Sequence, residues 1–130
     1  MGSWKTPENL KYLRTDEWLL LDSDTATLGI SDYAQDQLND IVFVELPSVG
    51  ATFAAGDTVA VVESVKAASD IVTPVAGTVI EVNQALERQP EIINSDPYEK
   101  GWIVKLKVSD ASGADGLMDA AAYSTYNEGR

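Results

Sequence analysis

The stretch that most limits the possible fold is Val59-Ala-Val-Val-Glu-Ser-Val-Lys-Ala-Ala-Ser-Asp-Ile-Val-Thr-Pro-Val75, in which two short apolar runs flank a polar centre. β-Branched residues suit a pleated, half-buried surface. Two such runs around a short polar segment read as a β-hairpin. Gly56 lies ten residues before Lys66 and Gly77 eleven after it, so the lysine falls at the tip. Both glycines are expected as turn residues at the hairpin base. The tip itself, Glu63-Ser64-Val65-Lys66-Ala67, lacks the Asn-Gly or Asp-Gly of a primed two-residue turn. A four-residue loop around a type I turn fits instead, with Val65 and Lys66 as the central pair and the lysine side chain in solvent.

Lys66 is also isolated by charge. Between Arg14 and Arg88 it is the only basic residue, against thirteen Asp and Glu. A single amine far from other amines is what a modifying enzyme needs to attach a group at one place. Its ammonium sits on a flexible four-carbon stem and can be acylated once deprotonated, which removes the charge and lengthens the arm. On spacing alone, the pattern favours an ordinary solvated turn lysine; the flanking residues have to decide.

Composition narrows the alternatives. A length of 130 residues fits one domain, and a chain of that size buries roughly two-thirds of its unfolded surface. The formal charge of −12 opposes nucleic-acid binding, because phosphates are repelled. Without any cysteine or histidine, this sequence has no disulfide, no thiolate metal site and no Ser-His-Asp or Cys-His machinery. There is no Asp-x-Asp-x-Asp-Gly loop to suggest a hard-metal site. No apolar run approaches the ~20 residues of a membrane span. The first residues carry no apolar signal region or Arg-rich amphipathic segment. The expected location is the cytoplasm, or an organelle matrix after loss of a transit peptide.

Along the chain, residues 1–9 are polar, include Pro7, and read as a loose arm before a single domain over 10–130. Apolar runs at 10–14, 18–21 and 26–30, with a turn at Asp22-Ser-Asp24, predict an early hairpin. Ser31 followed by Asp32 is an N-cap with an acid in the first turn, predicting a short helix over 31–39. Strands are predicted over 41–46, from Phe53, over 77–82 and over 102–108, with Trp18 and Trp102 in the core. A helical turn over 83–88 is expected to be capped by Asn83, residues 94–97 to form a loop, and a last helix to span roughly 117–126. Many short strands with few, short helices predict a mainly β fold, a sandwich or flattened barrel with helices at its margins.

The flanking residues do decide. Glu63-Ser-Val-Lys66-Ala, then Ala68-Ser-Asp70 and Pro74-Val-Ala-Gly-Thr-Val79, resemble the lipoyl-attachment segment of the glycine cleavage system H protein family. The likeness runs from Leu10 to about Tyr123. It includes Leu10-Lys-Tyr12, Glu17-Trp18, Leu28-Gly-Ile30, Asp40-Ile-Val-Phe-Val44, Glu81-Val-Asn83, Asn94-Ser-Asp-Pro-Tyr98 and Gly101-Trp102, in family order. The resemblance implies a barrel-sandwich hybrid of the biotinyl/lipoyl-carrier type with flanking helices, including a C-terminal one. It implies lipoic acid amide-linked to Lys66, and a carrier rather than an enzyme. Lipoyl-Lys66 would shuttle the aminomethyl group of glycine from the pyridoxal-phosphate P protein to the T protein, and reducing equivalents to the L protein. A lipoylating enzyme would read the tip through Glu63, Ser64, Val65 and Ala67.

The same resemblance implies a cleft in which the loaded arm shelters, with Glu17, Asp70 and Thr15 at matching positions. For each acid, a solvated surface charge is the plainer alternative, worth only ~0–1 kcal/mol in any exposed pair. The chain departs from the family where histidines often stand, having Asp16, Tyr33 and Gln37 there. Biotin carriers share the hairpin but flank their lysine with methionines, whereas here Val65 and Ala67 do so. The lipoyl domain of a 2-oxoacid dehydrogenase usually has Asp before the lysine. A relative that passes lipoyl groups to other enzymes remains open at this point, and a Schiff-base lysine is disfavoured by the acids around the tip.

Overall fold

The computed structural model describes residues 4–130. Strands β1 (Lys11–Tyr12), β2 (Glu17–Asp22) and β3 (Thr25–Ile30) open the chain, and helix α1 (Asp32–Leu38) follows. Then come β4 (Ile41–Glu45), β5 (Thr52–Phe53), β6 (Thr58–Ser64), β7 (Ala68–Val72) and β8 (Ala76–Val82). Two one-turn helices, α2 (Ala85–Arg88) and α3 (Ile92–Ser95), precede β9 (Val104–Asp110), and α4 (Ala120–Glu128) closes the molecule. The strands form two antiparallel sheets, ordered β1-β2-β3-β9-β8-β5 and β4-β6-β7. Both sheets keep free edges, so the mainly β sandwich reading holds while a closed barrel does not form.

Each sheet hides one face. Leu19, Leu28, Val79 and Leu106 from the larger sheet share one buried cluster with Val44, Val62 and Ile71 from the smaller. Each such side chain contributes about 1.5–3 kcal/mol on leaving water. A second, aromatic cluster joins the chain ends: Tyr12 and Tyr123 stack with centroids 4.5 Å apart, beside Leu10, Trp18 and Ala120. Trp18 is buried as predicted, and Trp102 is half-buried.

The predicted hairpin is present as β6 and β7, paired antiparallel with Glu63 opposite Ala68. Helix α1 also forms, capped by Ser31, whose hydroxyl accepts from the Ala34 N–H at 3.1 Å. Several local expectations fail for identifiable reasons. Asn83 does not cap α2; its side-chain amide donates to the carbonyls of Lys100 and Trp102, both at 2.7 Å. A tertiary partner outcompetes the local one. The expected loop at 94–97 begins inside α3, whose last residues are Asn94 and Ser95. The last helix starts at Ala120 rather than near 117, because Met118 forms a bridge with Tyr12 and Asp119 supplies the cap. Residues 4–9 form neither helix nor strand, yet Trp4 packs edge-on against Tyr33 and donates to Asp36, and the Tyr98 hydroxyl donates to the Lys5 carbonyl. Residues 1–3 of the predicted arm lie outside the described residues.

The two glycines of the hairpin base part company. Gly56 is a turn residue with φ of +93°, a region that side-chain-bearing residues rarely adopt. Gly77 lies inside β8, not in a turn. A Cβ there would sit 2.5 Å from the Lys107 carbonyl oxygen of β9. Gly77→Ala is therefore expected to lose about 1–3 kcal/mol in urea denaturation, as overpacking does. Gly116→Ala, where a Cβ meets nothing within 4 Å, should leave the midpoint nearly unchanged.

Candidate functional site

The turn between β6 and β7 is built by one hydroxyl. The Ser64 N–H donates to the Ala67 carbonyl at 2.8 Å. Ser64 Oγ accepts from the N–H groups of Lys66 (3.1 Å) and Ala67 (3.0 Å), so it stands where a type I turn would use the Ser64 carbonyl. No tip residue has positive φ, in keeping with the missing glycine. Val65 and Lys66 are the exposed central pair, as the sequence suggested, and the Val65 N–H donates to the Asp40 carbonyl at 3.1 Å, fastening the turn to the start of β4.

Lys66 does not extend freely into solvent. Its Nζ, on an exposed side chain, donates to the Gln37 carbonyl at 3.2 Å, in the last turn of α1. Unsatisfied carbonyls give a helix C-terminus partial negative charge, which favours a cation there. Gln37 belongs to the wall of a cleft of about 300 Å³, so the amine rests on the cleft's rim. Ile30, Ala34 and Leu38 form an apolar wall; Thr15, Asp16 and Ser69 add polar groups.

Thr15 and Glu17 were grouped from sequence, and the structure joins them: Thr15 Oγ1 donates to Glu17 Oε1 at 2.5 Å. Glu17 is not a solvated surface charge. It is fully buried, and its Oε2 accepts from the Val72 N–H of β7 at 2.8 Å. Burial pushes its pKa above the usual carboxylate value. The hydrogen bonds from Thr15 and Val72 oppose that shift, and nearby Asp16 adds to it. Asp70 is separate: it is exposed on β7, and Ser69, not Asp70, lines the cleft. Glu63 is exposed on the other side of the turn, opposite Phe43 and Ala68.

The structure adds a cluster that sequence reasoning missed. Asp16, held at φ of +81° in the turn before β2, receives both guanidinium nitrogens of Arg130, at 2.6 and 2.9 Å. The Tyr123 hydroxyl also donates to Asp16, at 2.8 Å. Arg130 lies over the rings of Tyr33 (4.2 Å) and Tyr126 (4.6 Å) and lines the cleft with Tyr33. The paired carboxylate, above all, holds its pKa above the usual arginine value. Asp16, Tyr33 and Gln37, the three positions at which the resemblance led us to expect histidine, all line this cleft. Their shared departure was the available signal, but nothing local ties a residue 114 positions downstream to Asp16.

The family model described as Glycine cleavage H-protein matches residues 10–129. The chain belongs to that family. It is 50% identical over 123 residues to the glycine cleavage system H protein of Bacteroides thetaiotaomicron, covering 95% of this chain and 98% of that one. It is 55% identical over 122 residues to the H protein of Thermus thermophilus, covering 94% and 95% respectively. The crystal structure of a glycine cleavage system H protein from Mycobacterium marinum superposes with a TM-score of 0.87 at 33% identity, over 94% of this chain and 98% of that one. The fold and the ordered motifs thus agree with a carrier architecture over nearly the whole length. Among the described residues, no helix is long and apolar enough to cross a membrane, and no cluster of three or more His, Cys, Asp or Glu is placed to hold a metal ion.

The buried carboxylate sets a pH dependence. Its native pKa lies above its unfolded one, so the native state keeps the proton to higher pH. The stability this provides is complete below the unfolded value and declines as pH rises through the raised native one. Glu17→Gln keeps a carbonyl for Val72 without the charge. It is expected to gain on the wild type as pH increases from about 4 to 8. Glu17→Ala leaves the Val72 N–H unpaired and should cost about 1–3 kcal/mol. Urea titrations of all three proteins across that range check both outcomes; a pH-independent difference between wild type and Glu17→Gln would contradict the assignment.

Proposed function

We propose that this chain is the lipoyl carrier of a glycine cleavage system, with lipoic acid amide-linked to Nζ of Lys66. The observation that carries the reading is the position of that one amine. It is exposed, sits on a turn organised by Ser64, and lies 3.2 Å from the Gln37 carbonyl on the rim of the cleft. The lipoyl group supplies a dithiolane that accepts the aminomethyl group of glycine with a pair of electrons. Tethering does the rest: a carrier whose arm reaches each partner raises the effective concentration of every transfer.

The chain's residues have separate tasks in this reading. Ser64 fixes the turn, and Glu63, Val65 and Ala67 complete the surface that a lipoylating enzyme reads. Ile30, Ala34 and Leu38 exclude water along one wall of the cleft, while Thr15 offers a hydroxyl to what lies inside it. Glu17 acts from beneath, orienting that hydroxyl through their hydrogen bond. Asp16 is already neutralised by Arg130, which leaves the cleft less negative than its sequence neighbourhood suggests. Asp70 is at most an outer charge near the turn. The partners are a P protein that decarboxylates glycine, a T protein that removes the one-carbon unit, an L protein that reoxidises the arm, and the lipoylating enzyme.

Incubation with a lipoylating enzyme, lipoate and ATP should add the mass of one lipoyl group to the wild type and none to Lys66→Arg. The variant should unfold at the same urea concentration, since an exposed turn lysine contributes little to stability. Combined with P, T and L proteins, the wild type should support glycine-dependent reduction of NAD⁺ and the variant should not. Wild-type turnover by Lys66→Arg would refute the reading.

A further inference from the structure

We propose that an apolar surface beside Lys66, built by a bulge in β4, is the docking site for the lipoylating enzyme; this rests on the carrier function just given. On a regular strand, Val42 and Phe43 would point to opposite faces. Here the β4–β6 register shifts between Ile41 and Phe43, and both side chains emerge into solvent, 52% and 49% exposed. Their neighbours Ile41 and Val44 stay buried at 2%. β-Bulges re-aim side chains in this way and occur often beside functional sites.

The bulge lies at the lysine end of the sheet. Phe43 is opposite Glu63, and Glu63 is opposite Ala68, so one row crosses the outer face next to the turn. Val65, the residue before the lysine, is 68% exposed, and its N–H reaches the Asp40 carbonyl, two residues before Val42. Three large exposed apolar side chains therefore lie at the turn end of the three-stranded sheet, Val65 next to Lys66 in the chain and Val42 and Phe43 on the strand paired with the residues that enter the turn. β4 is also an outer strand of that sheet, where exposed apolar residues carry an aggregation risk unless a partner uses them.

Charge and chemistry select the partner. Four exposed acids lie on this end of the sheet: Glu63 is opposite Phe43, Glu45 and Asp70 flank Val61 in the next row of that face, and Asp40 immediately precedes β4. Lys66 is the lone cation of the whole 15–87 stretch. The complementary surface is an apolar socket edged with lysine or arginine. Partners that act on the far end of a lipoyl arm need not cover its root, whereas the enzyme that makes the amide must bring its acyl donor to bonding distance of Nζ. In that step the amine loses a proton to solvent and leaves the Gln37 carbonyl. Its lone pair attacks the carbonyl carbon of a mixed carboxylic–phosphoric anhydride of lipoate. The N–C bond forms, the C–O bond to phosphate breaks, the phosphate monoester departs, and the nitrogen sheds a second proton. Coverage of the turn, and of the apolar residues around it, is a geometric requirement of this partner.

The test measures initial rates of lipoylation by intact mass as a function of carrier concentration. It compares wild type, Val42→Ser combined with Phe43→Ser, and Val65→Ser, which alters the turn alone and needs no sheet packing. The KM for the carrier should rise by about tenfold or more in each variant, the loss expected of a well-buried contact, while kcat stays near that of the wild type. Added salt should raise the wild-type KM, because these acids contribute to the encounter. Once fully lipoylated at high enzyme concentration, the variants should be reduced and reoxidised by the L protein at the wild-type rate. A KM unchanged in the Val42→Ser, Phe43→Ser double variant overturns the docking site while leaving the carrier function intact, whatever Val65→Ser does, because Val65 belongs to the tip in either case. An equal loss with the L protein overturns the assignment to the lipoylating enzyme, and a wild type that accepts no lipoyl group overturns both readings.

Discussion

The N–H of Val72 faces the free edge of the three-stranded sheet, and the carboxylate that receives it comes from β2 of the other sheet. An unpaired backbone donor in this position would be costly in the absence of water. Glu17 removes that cost and fixes where β7 runs against the larger sheet. Because β7 leads directly from the turn, the same bond sets the position of Lys66 relative to α1. A fully buried carboxylate is an expensive fastener. It is tolerable here because Thr15 serves its second oxygen, and Thr15 is itself part of the cleft wall. The seam between the sheets and the functional surface therefore share residues, and a change in one is felt in the other.

The hairpin end divides its labour by side-chain type. Small and polar Ser64 organises the backbone by taking two N–H groups on one hydroxyl, which lets an ordinary αR-compatible pair occupy the apex without glycine. Apolar Val42, Phe43 and Val65 are exposed, while the one amine of the turn reaches to the Gln37 carbonyl of α1. On the opposite side, the C-terminal segment folds back so that Arg130 lies between two tyrosine rings and two carboxylate oxygens of Asp16. The planar guanidinium suits both contacts at once, which a lysine would not. The cleft is thus closed by residues from the first turn, the first helix, the hairpin and the end of the chain.

What could be read in advance follows a physical division. The hairpin, its tip and the Ser31 cap were legible because β-branched runs around a polar centre and capping chemistry are local signals. The family motifs fixed the architecture because they recur in order along most of the chain. Long-range competition was not legible. Asn83 looks like a cap from its neighbours, yet two carbonyls nearly twenty residues away claim its amide. Gly77 looks like a turn residue, yet it is required by the approach of β9. Glu17 looks like a surface acid in a run of acids, and only the second sheet explains its burial. The bulge at Val42 leaves no mark on the sequence Ile41-Val-Phe-Val44, since four apolar residues in a row hide which of them has slipped.

The resting place of the lysine amine has a further consequence. An ammonium with three hydrogens and a full charge suits the carbonyl end of α1; an amide nitrogen, with one hydrogen and no charge, has little hold on it. In the proposed carrier, acylation of Lys66 would therefore alter the rim of the cleft as well as lengthen the arm, because the charged amine that now donates to the Gln37 carbonyl would no longer be there to hold it.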